Sequence, residues 1–225
     1  EKGNYIGCDQ RTELGVIGRN GAYAEYVVVP ARYVHTLSDS ISLKQACLVE
    51  PTAVVMKGLR RIEPFLKGQH KNAGSCAVVG VGPIGHLCAQ VLSLNGHSVT
   101  AFDRNPIRRQ CVESVEFPID TAGDLARLDE FDIIIEATGD PDALDTLLHN
   151  SRAGAAVLLL GLPYARRPFS FESIVAHDKA VVGSVGSCGK DFQEAIHVLP
   201  TLDLTPFLES EYPLAQYEQA WDVCE

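Results

Sequence analysis

The stretch AVVGVGPIGHLCAQ, residues 77–90, places Gly80, Gly82 and Gly85 directly after a short apolar run and directly before a helical pattern. Glycines spaced GxGxxG say little alone. Here the turn follows a strand pattern and opens a helix. The unit closes in a second strand about 20 residues on, and that strand ends in an acid, Asp103. A strand-turn-helix-strand unit of this kind, repeated along the chain, commits it to an α/β fold with a parallel sheet covered by helices on both faces.

Each position has a physical task. Gly80 permits the tight turn, Gly82 lets backbone approach a pyrophosphate without a Cβ in the way, and Gly85 lets the helix pack closely on the strand. The free N–H groups of the helix start, which Pro83 (itself without an N–H) and Ile84 open, face the same place, where the helix dipole favours negative charge. Asp103 would accept hydrogen bonds from adenosine ribose hydroxyls. The competing reading is a bare bend with Asp103 as a solvated strand end, and the full context weighs against it. A carboxylate at Asp103 also occupies the place of a 2′-phosphate, and like charges at a few ångströms cost about 1 to 4 kcal/mol in a partly desolvated site. The expected cofactor is therefore NAD in preference to NADP. Arg104, Arg108 and Arg109 carry the opposite implication, since an arginine there welcomes the phosphate; read otherwise, they form a solvated helix start, with Arg104 as a lid over the adenine.

The same alternation runs through the rest of the chain. HSVTAFD reads as a strand, PIRRQ as the opening of a short helix, SVEFPI as a brief strand and FDIIIEATG as a strand buried on both faces. Asp140 and Pro141 supply cap and first position of the helix PDALDTLLHN. AAVLLLG and AVVGSVG are further strands, FESIVAH lies between them, and DFQEAIHVL is a helix. EATG and GLP end their strands at the carboxyl edge of the sheet, which brings Thr138, Gly139 and Gly161 beside the expected crevice. Gly139 and Gly161 read equally as points of close cofactor passage or as ordinary turn glycines. Upstream, GAYAEYVVVP and RYVHTL read as strands, Ser42 as a helix cap, and EPTAVVMKGLRRI as a helix with Pro51 in its first turn and Val55, Leu59 and Ile62 at helical spacing. PFLKGQHKNAGS, with its Pro, Gly, Asn and Ser, is the expected boundary.

Composition excludes some functions. A formal charge of −10 argues against nucleic-acid or anionic-membrane partners, which demand a basic face. No apolar run nears the ~20 residues of a membrane-spanning helix. Seven cysteines, an odd number without CxxC spacing, read as thiols of a reducing compartment, and the expectation is a cytoplasmic protein. The chain opens EKGNYIGCDQ, without initiator Met or signal peptide, and reads as a piece of something longer.

Four stretches, GAYAEYVVVP, LVEPTAVV, VGVGPIGHLCAQ…FDRN and IIEATG…LLLGLP…VVGSVG, together resemble the zinc-type medium-chain dehydrogenase/reductase family, the alcohol, polyol and sugar dehydrogenases. The resemblance runs from about Gly3 to the end. It implies that residues 1–50 are the tail of a β-rich GroES-like catalytic domain and 51–74 a connecting helix and linker. Residues 75–199 would be an NAD-binding Rossmann domain, and 200–225 a partial return to the catalytic domain. It further implies hydride transfer between nicotinamide and a small alcohol, polyol or sugar, zinc in the whole protein, and a homo-oligomer. On the same resemblance Cys8 stands in the place of the last structural-zinc cysteine, and Glu50 in that of a glutamate lent to catalytic zinc. Structural zinc needs four ligands and catalytic zinc three plus an open position. The other cysteines lie far apart and no HxxxH pair is present, so neither site is completed locally and no catalytic residue is assigned. Cys47, Cys76, Cys88, Cys111, Cys188 and Cys224 read as buried structural thiols, and His86 as either near the diphosphate or on the helix surface. Two alternatives stay open: a zinc-free quinone- or enoyl-type reductase, against which Glu50 argues, and a nucleotide-binding module without catalysis.

Overall fold

The computed structural model of the chain describes residues 6–66, 74–162, 168 and 170–224. They divide into two compact units, one running from Leu37 to Phe207, the other holding the residues up to Thr36 and from Leu208 on.

The smaller unit contains a two-residue ladder, β1 (Glu13–Leu14) with β2 (Gly18–Arg19). The strands expected at 21–30 and 32–37 do not form: a single 3-10 turn occupies Ala31–Tyr33, and Tyr26 and Val28 are almost fully exposed. Branched and aromatic residues favour a strand only when a neighbouring strand takes up their hydrogen bonds and one face is buried. Neither condition holds among the described residues.

In the larger unit, Ser42 caps α1 (Leu43–Ala46) in a reciprocal box with Gln45. Helix α2 (Val49–Leu66) follows and carries through Pro64. Of the expected boundary segment, residues 67–73 lie outside the described residues. Next come β3 (Ser75–Val79), α3 (Pro83–Leu94), β4 (Ser98–Phe102), α4 (Pro106–Glu113), β5 (Ile119–Ala122), β6 (Ile133–Glu136) and α5 (Pro141–Asn150). The unit continues with β7 (Ala156–Leu159), α6 (Glu172–Val175), β8 (Ala180–Gly183) and α7 (Gly189–Val198). A last helix, α8 (Tyr217–Cys224), belongs to the smaller unit, where Tyr217 meets Tyr23 edge to face. The strand read at SVEFPI lies instead at Ile119–Ala122, because Pro118 has no N–H to give a ladder and pairing with β4 begins just after it.

The six strands β3–β8 form one sheet in the order β5-β4-β3-β6-β7-β8, every pair parallel. Helices cover both faces, as the side-chain period of two requires. Ala77, Val79, Ile134 and Val157 point to one face and pack with Leu147 and Leu148 of α5. Leu158, next to Val157 and so on the opposite face, meets α2 at Gly58, where a Cβ would lie 2.8 Å from Leu160. The strand order reverses direction between β3 and β6. At such a switch point neighbouring crossovers leave to opposite faces, and a crevice opens at the carboxyl ends of the strands.

Candidate cofactor site

The glycine turn sits at that switch point. Gly80 closes the end of β3 with its N–H on the Phe102 carbonyl (2.8 Å), and its φ of +86° is one that residues with a Cβ avoid. It has a second constraint: an added Cβ would lie 2.6 Å from the Thr138 methyl. Gly82 is the N-cap of α3, Pro83 the first helical residue, and Ile84 follows half-buried in the first turn. A Cβ built on Gly82 would meet nothing within 4 Å, so the space in front of this turn is open. Gly85 is the reverse case: a Cβ there would collide with the Gly80 carbonyl, and its absence lets α3 start directly against the strand end.

Asp103 follows β4 with its side chain only 6% exposed. One carboxylate oxygen accepts from Val81 N–H (2.9 Å) and the other from Asn105 N–H (2.8 Å), so the acid ties its own loop to the glycine turn. A carboxylate has about four acceptor positions, which leaves two for a ligand. Arg108 approaches one oxygen at 3.9 Å, and Arg109 turns inward to donate to the Asp103 carbonyl (2.6 Å). Of the three arginines, Arg104 and Arg108 line the cavity.

That cavity, of about 380 Å³, is bounded by Gly80 and Gly82 on the turn, Asp103, Arg104 and Arg108 after β4, Leu125 after β5, Ala137 and Thr138 after β6, and the start of α5 at Asp140, Asp142 and Ala143. Asp140 caps α5 by accepting from Asp142 N–H (2.9 Å). Thr138 therefore lies where its position in EATG suggests, but its hydroxyl is already engaged: it donates to Glu136 and accepts from Asp140 N–H (2.9 Å). Gly139 has φ of +67°. Between the two readings of Gly161, the space its missing Cβ leaves is filled from within the chain, by Gly139 N and a Glu136 carboxylate oxygen. The two loops pack backbone to backbone there.

Glu136 was not among the residues singled out from sequence. It reads as one more position of a buried strand; the only signal is a carboxylate closing an otherwise apolar run. His86 needs correction on both of its readings. It lies neither at the cavity nor on the helix surface but buried in the body of α3, 4.8 Å ring to ring from Phe207, and burial pushes its pKa down from 6.5 to about 4. Of the cysteines, Cys76 and Cys88 are buried as expected, and burial raises both thiols, that of Cys76 to about 12. Cys111 and Cys188 are half-buried and Cys47 is exposed, its thiol turned back onto the Lys44 carbonyl. Cys47 ends a four-residue helix on the surface.

Cys8 is exposed and Glu50 is exposed in the first turn of α2. Among the described residues no three His, Cys, Asp or Glu side chains come together where they could hold a metal ion. The donors among the described residues do not complete a zinc site. No helix among them is long and apolar enough to cross a membrane.

Residues 43–225 match the family described as the C-terminus of glucose dehydrogenase. The chain belongs to that family. It thereby belongs with the zinc-type medium-chain dehydrogenases whose motifs it carries. An L-threonine 3-dehydrogenase of Legionella pneumophila (strain Corby) is 24% identical over 238 aligned residues, covering 95% of this chain and 65% of that protein. The chain thus spans less than two thirds of the length of this relative. Among solved structures, 2R,3R-butanediol dehydrogenase from Bacillus subtilis is 25% identical, with a TM-score of 0.74 over 91% of this chain and 60% of that one. Glucose dehydrogenase from Haloferax mediterranei, solved with NADP, Zn and gluconolactone, shares the fold at 21% identity and a TM-score of 0.74, over 90% of this chain and 61% of that one.

Proposed function

We propose that this glucose dehydrogenase C-terminus chain is the dinucleotide-binding part of an NAD-dependent oxidoreductase acting on a small alcohol, polyol or sugar. The observation that carries the reading is the open space at Gly82. Backbone N–H groups and a helix N-terminus stand at an open cavity at the switch point of a parallel sheet, which suits a pyrophosphate. Asp103, with two acceptor positions spare, would take the ribose hydroxyls. Leu125, Ala143 and the Arg104 stem would flank the adenine.

A bound nicotinamide supplies the hydride acceptor of an alcohol oxidation. The chain's own residues bind and orient it: the turn anchors the phosphates, Asp103 and its loop fix the adenosine half, and the ends of β6 and β7 support the other half. No proton-transfer or metal step is assigned to this chain, since the donor set does not fit zinc. The domain roles given above, and a homo-oligomeric whole protein, belong to the same proposal.

The preference for NAD rests on the Asp103 carboxylate, nearly buried and held by two backbone N–H groups, which meets a 2′-phosphate with like charge. Arg108, 3.9 Å from the carboxylate and more than half exposed, answers that charge only in part. Calorimetric titration of the chain with both dinucleotides checks the reading. NAD is expected to bind at least about tenfold more tightly than NADP. Tighter NADP binding overturns the cofactor choice, and binding of neither overturns the site.

A further inference from the structure

We propose that Glu136 is a positioning residue for the dinucleotide crevice: it fastens the loops after β6 and β7 to each other and sets Thr138 against the glycine turn. The proposal rests on the cofactor reading above, and goes beyond it by naming the residue that shapes the half of the crevice past the switch point.

Glu136 ends β6, a strand whose other residues are Ile133, Ile134 and Ile135, and it is itself only 2% exposed. A carboxylate in such a place must find donors. One oxygen, Oε1, accepts from Thr138 N–H (2.7 Å), from Gly139 N–H (2.9 Å) and from the Thr138 hydroxyl. The side chain thus curls back over the strand end and holds the turn that follows it. The second oxygen, Oε2, lies against Gly161, in the place a Cβ would take. The backbone carbonyl of the same residue accepts from Leu160 N–H (2.8 Å) and Gly161 N–H (3.1 Å). One residue therefore grips both loops, the first through its side chain and the second through its main chain.

The consequence for the crevice passes through Thr138. Glu136 does not line the cavity; Ala137 and Thr138 do. With its N–H and hydroxyl both bound to Oε1, Thr138 has one orientation, and that orientation puts its methyl against Gly80. Carboxylate, threonine and glycine make a stack that sets how far the β6 loop stands from the phosphate turn. A dinucleotide with its phosphates at Gly82 keeps its adenosine on the Asp103 side, towards β4. Its second nucleoside must cross the ends of β6 and β7, the two loops that Glu136 joins. A mononucleotide needs only the first half.

This difference supplies the test. Glu136→Asp withdraws the carboxylate by one methylene, out of reach of Thr138 and Gly139, while Glu136→Gln keeps the length and an acceptor oxygen. Affinities for NAD and AMP are measured by calorimetry on the wild-type chain and both variants, with circular dichroism to confirm folding. In Glu136→Asp, NAD affinity is expected to fall about tenfold or more while AMP affinity stays within about threefold; Glu136→Gln should return NAD to within about threefold of wild type. Should Glu136→Asp not fold, Thr138→Val, which keeps the shape and removes the hydroxyl that Oε1 accepts, should lower NAD affinity about tenfold in a folded chain, and unchanged NAD affinity overturns the proposal. Equal loss of NAD and AMP would reduce Glu136 to general support of the fold and overturns the proposal. So does wild-type NAD affinity in the folded variant, or a Gln variant no better than Asp. If the wild-type chain binds neither nucleotide, the cofactor reading itself falls, and this proposal with it.

Discussion

At the scale of single residues, glycines in one motif answer to different constraints, and a substitution separates them. Gly82 has extended backbone angles (φ −63°, ψ −176°) that valine adopts readily, and nothing inside the chain occupies its Cβ direction. Gly82→Val should leave the unfolding midpoint unchanged and weaken dinucleotide binding at least about tenfold, because the branches fill space reserved for the pyrophosphate. Calorimetry paired with thermal unfolding checks both halves; unchanged affinity in a native fold would make the turn a mere bend. These roles were legible because a missing side chain at a fixed spacing has few explanations. Gly161 was legible only as a choice, since nothing in GLP says that a glutamate 25 residues earlier and the Gly139 backbone fill its Cβ space. Glu136 was legible only as a carboxylate closing an apolar run. Its function lies in where its side chain turns after the strand ends, and spacing carries no information about that.

At the scale of elements, the strands and helices of the parallel sheet could be read from alternation and caps because each is satisfied mostly by its own neighbours in the pattern. Within FDIIIEATG, β6 is buried on both faces as its three isoleucines predict, and Asp140 caps the helix that its position announces. The segments 21–30 and 32–37 do not follow their local pattern. Their strand propensity is real, but a strand is a relation between two segments, and propensity names only one of them. Long-range polar pairs are equally invisible in sequence. Arg60 of α2 pairs with Asp191 and Glu194 of α7, 131 and 134 positions away. Asp191 is fully buried and its other oxygen accepts from Cys188 N–H (2.7 Å), so one carboxylate both caps α7 and pins it to α2. Asp191→Ala removes the cap and leaves a half-buried guanidinium with Glu194 alone among the described residues. It should cost about 3 kcal/mol in chemical denaturation, the scale for breaking one side of a buried pair. Glu194→Ala, whose carboxylate is a third exposed, should cost under about 1 kcal/mol. Equal losses would mean that the cap and the burial of Asp191 contribute nothing beyond surface charge.

At the scale of the whole molecule, the response to acid depends on one base that the fold holds neutral. His86 lies in α3 one turn before Gln90, and Gln90 exchanges two hydrogen bonds with the Asp203 backbone (2.9 Å each). Together with the contact of His86 on Phe207, this face of α3 holds the segment that ends the larger unit. The His86 Nε2 atom is buried with no hydrogen-bond partner among the described residues, so a proton placed on it would carry an unanswered charge into an apolar site. Burial depresses its pKa to about 4, the Asp203 charge opposing the shift in part. In the unfolded chain the same group titrates near 6.5. The neutral form is therefore the one the fold favours, and its contribution is fully present above pH 6.5. As pH falls from there towards 4, the unfolded chain binds a proton that the native one refuses, and the contribution is lost. A depression of this size corresponds to about 3 kcal/mol. His86→Leu, which keeps an apolar side chain against Phe207 and removes the titration, should flatten the fall in stability across that window by this amount. Urea unfolding at a series of pH values between 7 and 4 provides the comparison, with the remaining histidines and the carboxylates common to both chains. If wild type and His86→Leu lose stability in parallel, protonation of His86 is not what the fold resists, and the acid response belongs to the −10 net charge and its carboxylates instead.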